Sequence, residues 1–155
     1  MTPAEDDLDR IMAVMEAGFE PTYGEAWTRR QVEDALLIGH CHYHLVDAQG
    51  DKAAPGVTAA GFFLSREGFE EEELLLIAVD PDFRCRGIGR KLLEVLATEA
   101  KTRGARRLLL EMRRGNPAES LYRSFGFQPI GERVNYYRMA NGERVDAITF
   151  AHSLE

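Results

Sequence analysis

Residues 74–90, LLLIAVDPDFRCRGIGR, constrain this chain more than any other stretch. Leu74 to Val79 form a short, continuous apolar run, which predicts a buried strand rather than a helix. Asp80-Pro81-Asp82 ends it, because proline has no amide proton and pushes the residue before it out of the helical region. Arg84, Arg86, Gly87, Ile88, Gly89 and Arg90 follow, and a helical pattern opens. Strand, glycine loop and helix N-terminus, in that order, suit a phosphate. The first-turn N–H groups point outward, the helix dipole favours an anion, and glycine lets the backbone approach closely. The arginines add planar donors that match a pyrophosphate.

Two other glycine loops are excluded. Gly-Lys-Ser/Thr, the mark of nucleotide hydrolases, is missing, and the dinucleotide fingerprint needs three glycines where this loop has two. What remains is Arg84-x-x-Gly87-x-Gly89, directly after Ile77-Ala78-Val79-Asp80-Pro81. It resembles the acetyl-CoA signature of the GNAT N-acetyltransferases: glutamine or arginine, two residues, glycine, one residue, glycine or alanine.

The rest of the chain bounds the setting. With 155 residues, 45% hydrophobic and 29% charged, residues 1–155 read as one domain with a real core. A net charge of −7 gives no whole-molecule attraction to nucleic acid or an anionic membrane and suits a cationic partner. Cys41 and Cys85 are too few for a disulfide framework. No apolar run approaches membrane-spanning length and the N-terminus lacks a signal-peptide core, so a cytoplasmic location is expected.

Upstream, Leu8, Ile11, Met12 and Met15 predict a helix over 5–16, stopped by Gly18. A second is expected from Thr28 to near Gly39, with Gln31 completing a capping box and Trp27 facing Val32 as a staple. Between them FEPTYGEAW, Phe19 to Trp27, carries three aromatics that either pack on the core or form a substrate-facing lip. His40 to Val46 alternates as a strand, with His40, His42 and His44 on one face. Alternate positions on one strand converge poorly on a single ion, so no metal site is expected. Val57–Ser65 reads as the next strand and Arg66-Glu67-Gly68 as its turn. Glu70 to Glu73 reads either as a charged edge that blocks pairing or as an acidic mouth for an amine.

Downstream, a helix from Gly87 to Arg103 buries Ile88, Leu92, Val95, Leu96 and Ala100 and ends at Gly104. Arg106–Met112 is a strand parallel to 74–79, since a helix crosses between them. Asn116, Pro117 and Glu119 mark the next helix start as cap, first position and capping-box partner, with Ala118, Leu121, Tyr122 and Phe125 at helical spacing. Phe127–Met139 and Arg144–Ser153 are strands joined through Asn141-Gly142.

That order of elements is similar to the whole GNAT fold. The resemblance implies an α/β architecture: a central mixed, mostly antiparallel sheet with a splayed parallel strand pair, flanked by about four helices. Leu121-Tyr122-Arg123-Ser124-Phe125-Gly126-Phe127 resembles the family's second signature. Asn135-Tyr136-Tyr137, Asp146-Ala147-Ile148, Ile77 to Asp82 and Leu110-Glu111-x-Arg113 are similar to its RimI branch, the ribosomal-protein alanine N-acetyltransferases. For such enzymes the resemblance implies transfer of an acetyl group from acetyl-CoA to an exposed N-terminal amine on a small-subunit ribosomal protein. It implies cofactor contacts from Arg84, Cys85, Arg86, Gly87, Ile88, Gly89 and Arg90 at the phosphates, and from Asn116.

The chemistry adds its own demands. An amine attacking a thioester must be neutral, so a base takes its proton, and the departing thiolate needs an acid. Main-chain groups of Ile77, Ala78 and Val79 can hold the pantetheine arm if the two central strands splay. Glu111, after three apolar residues at a strand end, is the candidate base and matches the RimI position. Tyr122 is the candidate acid, its alternative role being a core aromatic. Between them the chain is one residue shorter than the RimI pattern. Glu73, where other GNAT branches take their base, therefore stands in reserve. Cys85 is not expected to serve as an acyl-enzyme nucleophile, because the resemblance implies direct transfer and puts this position at the phosphates. Two alternatives stay open: a GNAT enzyme for a small-molecule amine, and an acyl-CoA-binding module without turnover.

Overall fold

Helices α1 (Glu5–Gly18) and α2 (Arg29–Ile38) form where the apolar spacing places them. The structure, a computed structural model, describes residues 5–19 and 25–155, so Tyr23, the middle aromatic of the expected lip, lies outside the described residues. Thr28 caps α2 as expected. The Gln31 N–H donates to Thr28 Oγ1 at 3.2 Å and the Thr28 N–H donates to Gln31 Oε1 at 2.8 Å.

Strands β1 (Cys41–Val46), β2 (Gly61–Gly68), β3 (Glu71–Val79), β4 (Arg107–Arg113), β5 (Gln128–Arg138) and β6 (Arg144–Ser153) form one sheet, ordered β1-β2-β3-β4-β6-β5. Helix α3 (Ile88–Thr102) crosses from β3 to β4, and that pair alone among these neighbours is parallel. Helix α4 (Glu119–Phe125) leads into β5. On one face α1 and α2 pack Ile11, Met15, Val32 and Leu36 on Leu45, Phe62, Leu64 and Leu76. On the other, α3 and α4 pack Leu92, Leu96 and Tyr122 on Phe63, Leu108, Leu110 and Phe150. Each fully buried leucine contributes about 2 kcal/mol to these layers. No helix among the described residues is long and apolar enough to cross a membrane.

Several boundaries differ from the sequence reading. β2 starts at Gly61 rather than Val57, whose N–H instead turns back to Ala54 O at 3.1 Å. Arg66–Gly68 ends the strand, and the reversal falls on Phe69-Glu70, with Glu70 at φ +59°. The acidic run is accordingly neither edge nor mouth, for Glu71 to Glu73 pair with β2 on one side and β4 on the other. Glu72 is 1% exposed and tolerates burial because both its oxygens are satisfied. Arg103 Nε and Nη2 donate to it at 2.9 and 2.6 Å, and Ser65 Oγ at 2.6 Å. The last helix starts at Glu119. Asn116 Oδ1 accepts from the Ala118 N–H at 2.8 Å and so caps a turn instead, while Glu119 pairs with Arg123 rather than reaching back. The β5–β6 hairpin closes through residues 139–143, with the Met139 N–H donating to Glu143 O at 2.7 Å, a longer loop than a two-residue turn.

The feature that opens the site is a bulge. Leu64 pairs with Leu76 but Ser65 with Leu74, so Leu75 is an extra residue in β3. It reverses the alternation: Leu74, Ile77 and Val79 pack on the α3 side, whereas Leu76 and Ala78 pack on the α1 side. Pairing of β3 with β4 ends one residue earlier, at Leu74 and Leu110. Beyond that point β3 runs to Val79 and β4 to Arg113 with a gap between them.

Candidate active site

The gap is the floor of a cleft of about 1210 Å³ walled by the α3 N-terminus, α4, the loop before α2, and Tyr137 of β5. The Asp80 N–H donates to Ala60 O at 2.8 Å, which fixes the hydrogen-bonding phase of the β2–β3 ladder. With the register Phe62 opposite Ala78, Ala78 spends its N–H and C=O on β2, and Ile77 and Val79 turn theirs toward the gap. All three line the cleft, but two of them carry the free main-chain groups.

At one end lies the arginine-glycine loop. Pro81–Phe83 make a short 3-10 turn, Cys85 and Gly87 take positive φ of +63° and +76°, and α3 starts at Ile88 with no side-chain cap. The Lys91 N–H is the first to bond back, to Gly87 O at 3.1 Å, so the N–H groups before it have no partner within the helix. Arg84 Nη2 donates to Gly18 O at 3.2 Å and ties the loop to the end of α1. Arg86 lies over the Phe83 ring and Arg90 over Phe125. Arg84, Cys85, Arg86, Gly87 and Arg90 are all exposed. Gly89 serves packing as well, since a Cβ there would meet Leu121 Cδ2 at 2.9 Å.

At the other end the structure brings Glu111 and Tyr122 into one cleft. Glu111 projects from β4 beyond the last residue paired with β3. Its side chain is 19% exposed, with Arg133 Nε 3.4 Å from Oε2. Tyr122 sits on α4 at 6% exposure, its ring edge-on to Phe127, and its hydroxyl bonds no protein group among the described residues. It is thus both a core aromatic and a cleft residue. Burial, and then the nearby Glu25 carboxylate, push its pKa up. Tyr137 is pushed up to about 12, chiefly by burial, then by Glu111 and Glu25.

Glu25, Arg113 and Tyr137 complete this end and were not singled out as site residues from sequence. Arg113 Nε donates to Glu25 Oε1 at 2.9 Å, and Asn116 Nδ2 lies 3.5 Å from Glu25 Oε2. The one signal for Glu25 was its place in the aromatic loop read as a possible lip. Glu73 stays outside the cleft, where β3 and β4 are still paired, and bonds Arg66 at 2.6 Å. On β1, His42 bonds Glu67 at 2.6 Å and His44 stacks on Phe63, with burial lowering the His44 pKa. Among the described residues no cluster of three or more His, Cys, Asp or Glu could hold a metal ion.

A parallel strand pair splayed at a bulge, opening onto an uncapped helix N-terminus with an arginine-glycine loop, is the architecture of an acyl-CoA N-acyltransferase. The chain matches the family model for the acetyltransferase (GNAT) domain over residues 36–129, and it belongs to that family. It is 47% identical over 93 residues to the ribosomal protein bS18-alanine N-acetyltransferase of Salmonella typhimurium, a match covering 59% of this chain and 62% of that one. It therefore spans about three fifths of that relative's length. A protein of Bacillus subtilis named as a putative enzyme of the same kind is 31% identical over 140 residues, covering 89% of this chain and 85% of its own. The crystal structure of the ribosomal-protein-S18-alanine N-acetyltransferase from Escherichia coli superposes with a TM-score of 0.79 at 30% identity, over 100% of this chain and 92% of that one.

Proposed function

We propose that this protein transfers the acetyl group of acetyl-CoA to the N-terminal α-amine of a protein that begins with alanine, in the manner of the small-subunit ribosomal-protein enzymes it resembles. The single observation that carries the reading is the gap between β3 and β4, with Ile77 and Val79 offering main-chain groups on one side and Glu111 and Tyr122 facing the same space. Pantetheine, an extended amide chain, is matched by such strand-edge groups. Its pyrophosphate is matched by the N–H groups of Gly87 to Arg90 and by the exposed guanidinium groups of the loop.

In this reading Glu111 takes the proton of the attacking amine, and Tyr122 gives its own to the departing thiolate. A buried tyrosine whose pKa is raised keeps that proton until the sulfur needs it. Asn116 orders the turn that carries α4 past the thioester. No metal is called for, since polarisation of the thioester falls to main-chain donors in the gap.

The test is acetyl-CoA consumption with competing acceptors. Free CoA should appear when an alanine-starting peptide is supplied, and that peptide should outcompete spermine and aminoglycosides. Preference for the small amines would overturn the protein-terminus reading. Binding of acetyl-CoA with no CoA released by any amine would make the chain a binding module.

A further inference from the structure

We infer that Glu25 is the anchor for the acceptor's ammonium group, holding the amine beside Glu111 before its proton is removed; the inference rests on the acetyltransferase reading of the cleft. Glu25 comes from the loop before α2, away from the strands that meet the cofactor. Its carboxylate is held in place by Arg113, a side chain only 8% exposed, through the 2.9 Å bond to Oε1. Among the described residues Oε2 accepts only from Asn116 Nδ2, at 3.5 Å, and so keeps acceptor capacity for a further donor.

A second observation points the same way. The hydroxyl of Tyr122, a cleft-lining residue, bonds no protein group among the described residues and lies within the electrostatic reach of Glu25. Tyr137 is within reach of both Glu25 and Glu111, so the two carboxylates border one space, with two tyrosines around it. An N-terminal amine arrives as an ammonium with three donors and must lose one proton before it attacks. If Glu111 were the sole carboxylate, it would have to bind the cation and also take the proton from it. A second carboxylate divides these tasks. Glu25, fixed by a buried arginine, suits holding, and Glu111, whose partner Arg133 is 60% exposed, suits exchange.

The experiment compares two peptides by calorimetry on the full chain with CoA bound: an alanine-starting peptide, and the same peptide already acetylated at its N-terminus. Glu25→Gln keeps the shape and the bond to Arg113 but removes the charge. It should weaken the free-amine peptide about ten- to a hundredfold and the acetylated peptide by less than about twofold. Glu25→Asp, which restores the charge on a shorter arm, should fall between wild type and Glu25→Gln. Equal losses for both peptides would mean that Glu25 only positions its loop, and no loss for either would mean that it does not meet the amine. Each result overturns the anchor. A wild-type protein that binds the free-amine peptide more tightly than the acetylated one but never acetylates it would count against the proposed function and leave the anchor standing.

Discussion

At the scale of single residues, the proposed reaction needs one group that holds a proton, Tyr122, and another that takes one, Glu111. Tyr122 is pushed toward its neutral form, chiefly by burial, so its hydroxyl is available as an acid throughout the neutral range. Tyr122→Phe keeps the ring on Phe127. It should lower kcat roughly 10²- to 10⁴-fold with acetyl-CoA affinity retained; an unaffected kcat would reduce Tyr122 to a core residue. Glu111→Gln should abolish turnover near neutrality and recover part of it at high pH, where the amine has already lost its proton, as read from a kcat/KM profile. Glu73→Gln is the control. It breaks only the surface pair with Arg66, a loss of about 0.5 kcal/mol at most, and should turn over like wild type. A dead Glu73→Gln beside an active Glu111→Gln would reverse the assignment of the base.

At the scale of elements, the bulge at Leu75 and the start of α3 cooperate. The bulge bends β3 off β4, and the loop after β3 then delivers the helix N-terminus to the end of the gap. Gly89 sits where that helix touches α4. Gly89→Val should therefore weaken acetyl-CoA binding at least about tenfold and also lower the melting temperature, because its new carbon meets Leu121. Adding Leu121→Ala relieves the collision. The double variant should regain stability without regaining affinity, since a side chain still stands in the proposed phosphate site. Recovery of both together would show that Gly89 matters for packing alone.

Across the whole molecule, α1 is clamped to the sheet by a polar contact inside an otherwise apolar layer. Tyr43 on β1 donates to Asp7 Oδ2 at 2.5 Å, and Arg10 Nη2 donates to Asp7 Oδ1 at 2.8 Å. Burial alone would raise the Asp7 pKa, but the Tyr43 hydroxyl and Arg10 outweigh it and leave it lowered. A carboxylate whose folded pKa is lowered adds stability above its unfolded value, and that stability is lost as pH falls through the folded one. Tyr43, raised to about 12 by burial and then by Asp7, adds stability below its unfolded value of 10, lost as pH climbs toward 12. Tyr43→Phe should cost about 1 kcal/mol in urea unfolding at neutral pH, and the deficit should shrink in acid as Asp7 protonates. A deficit that is constant with pH would mean the clamp is packing only.

Local chemistry explains why so much was legible beforehand. The capping box at Thr28, the apolar periodicity of α1 and α3, the breaker at Asp80-Pro81 and the glycine at φ +76° before α3 all act within a few residues of themselves. A crossover helix likewise makes β3 and β4 run parallel, and the order of elements together with the family resemblance placed Glu111 and Tyr122 at a common opening. The bulge was not legible, because Leu74, Leu75 and Leu76 are identical in sequence and only pairing with both neighbours decides which one is extra. The acidic run was misread for the same reason, as Glu72 is buried only because Arg103 and Ser65, distant in sequence, close around it. Glu25 reaches the cleft through Arg113, 88 residues along the chain, and no local pattern encodes a contact that packing alone creates.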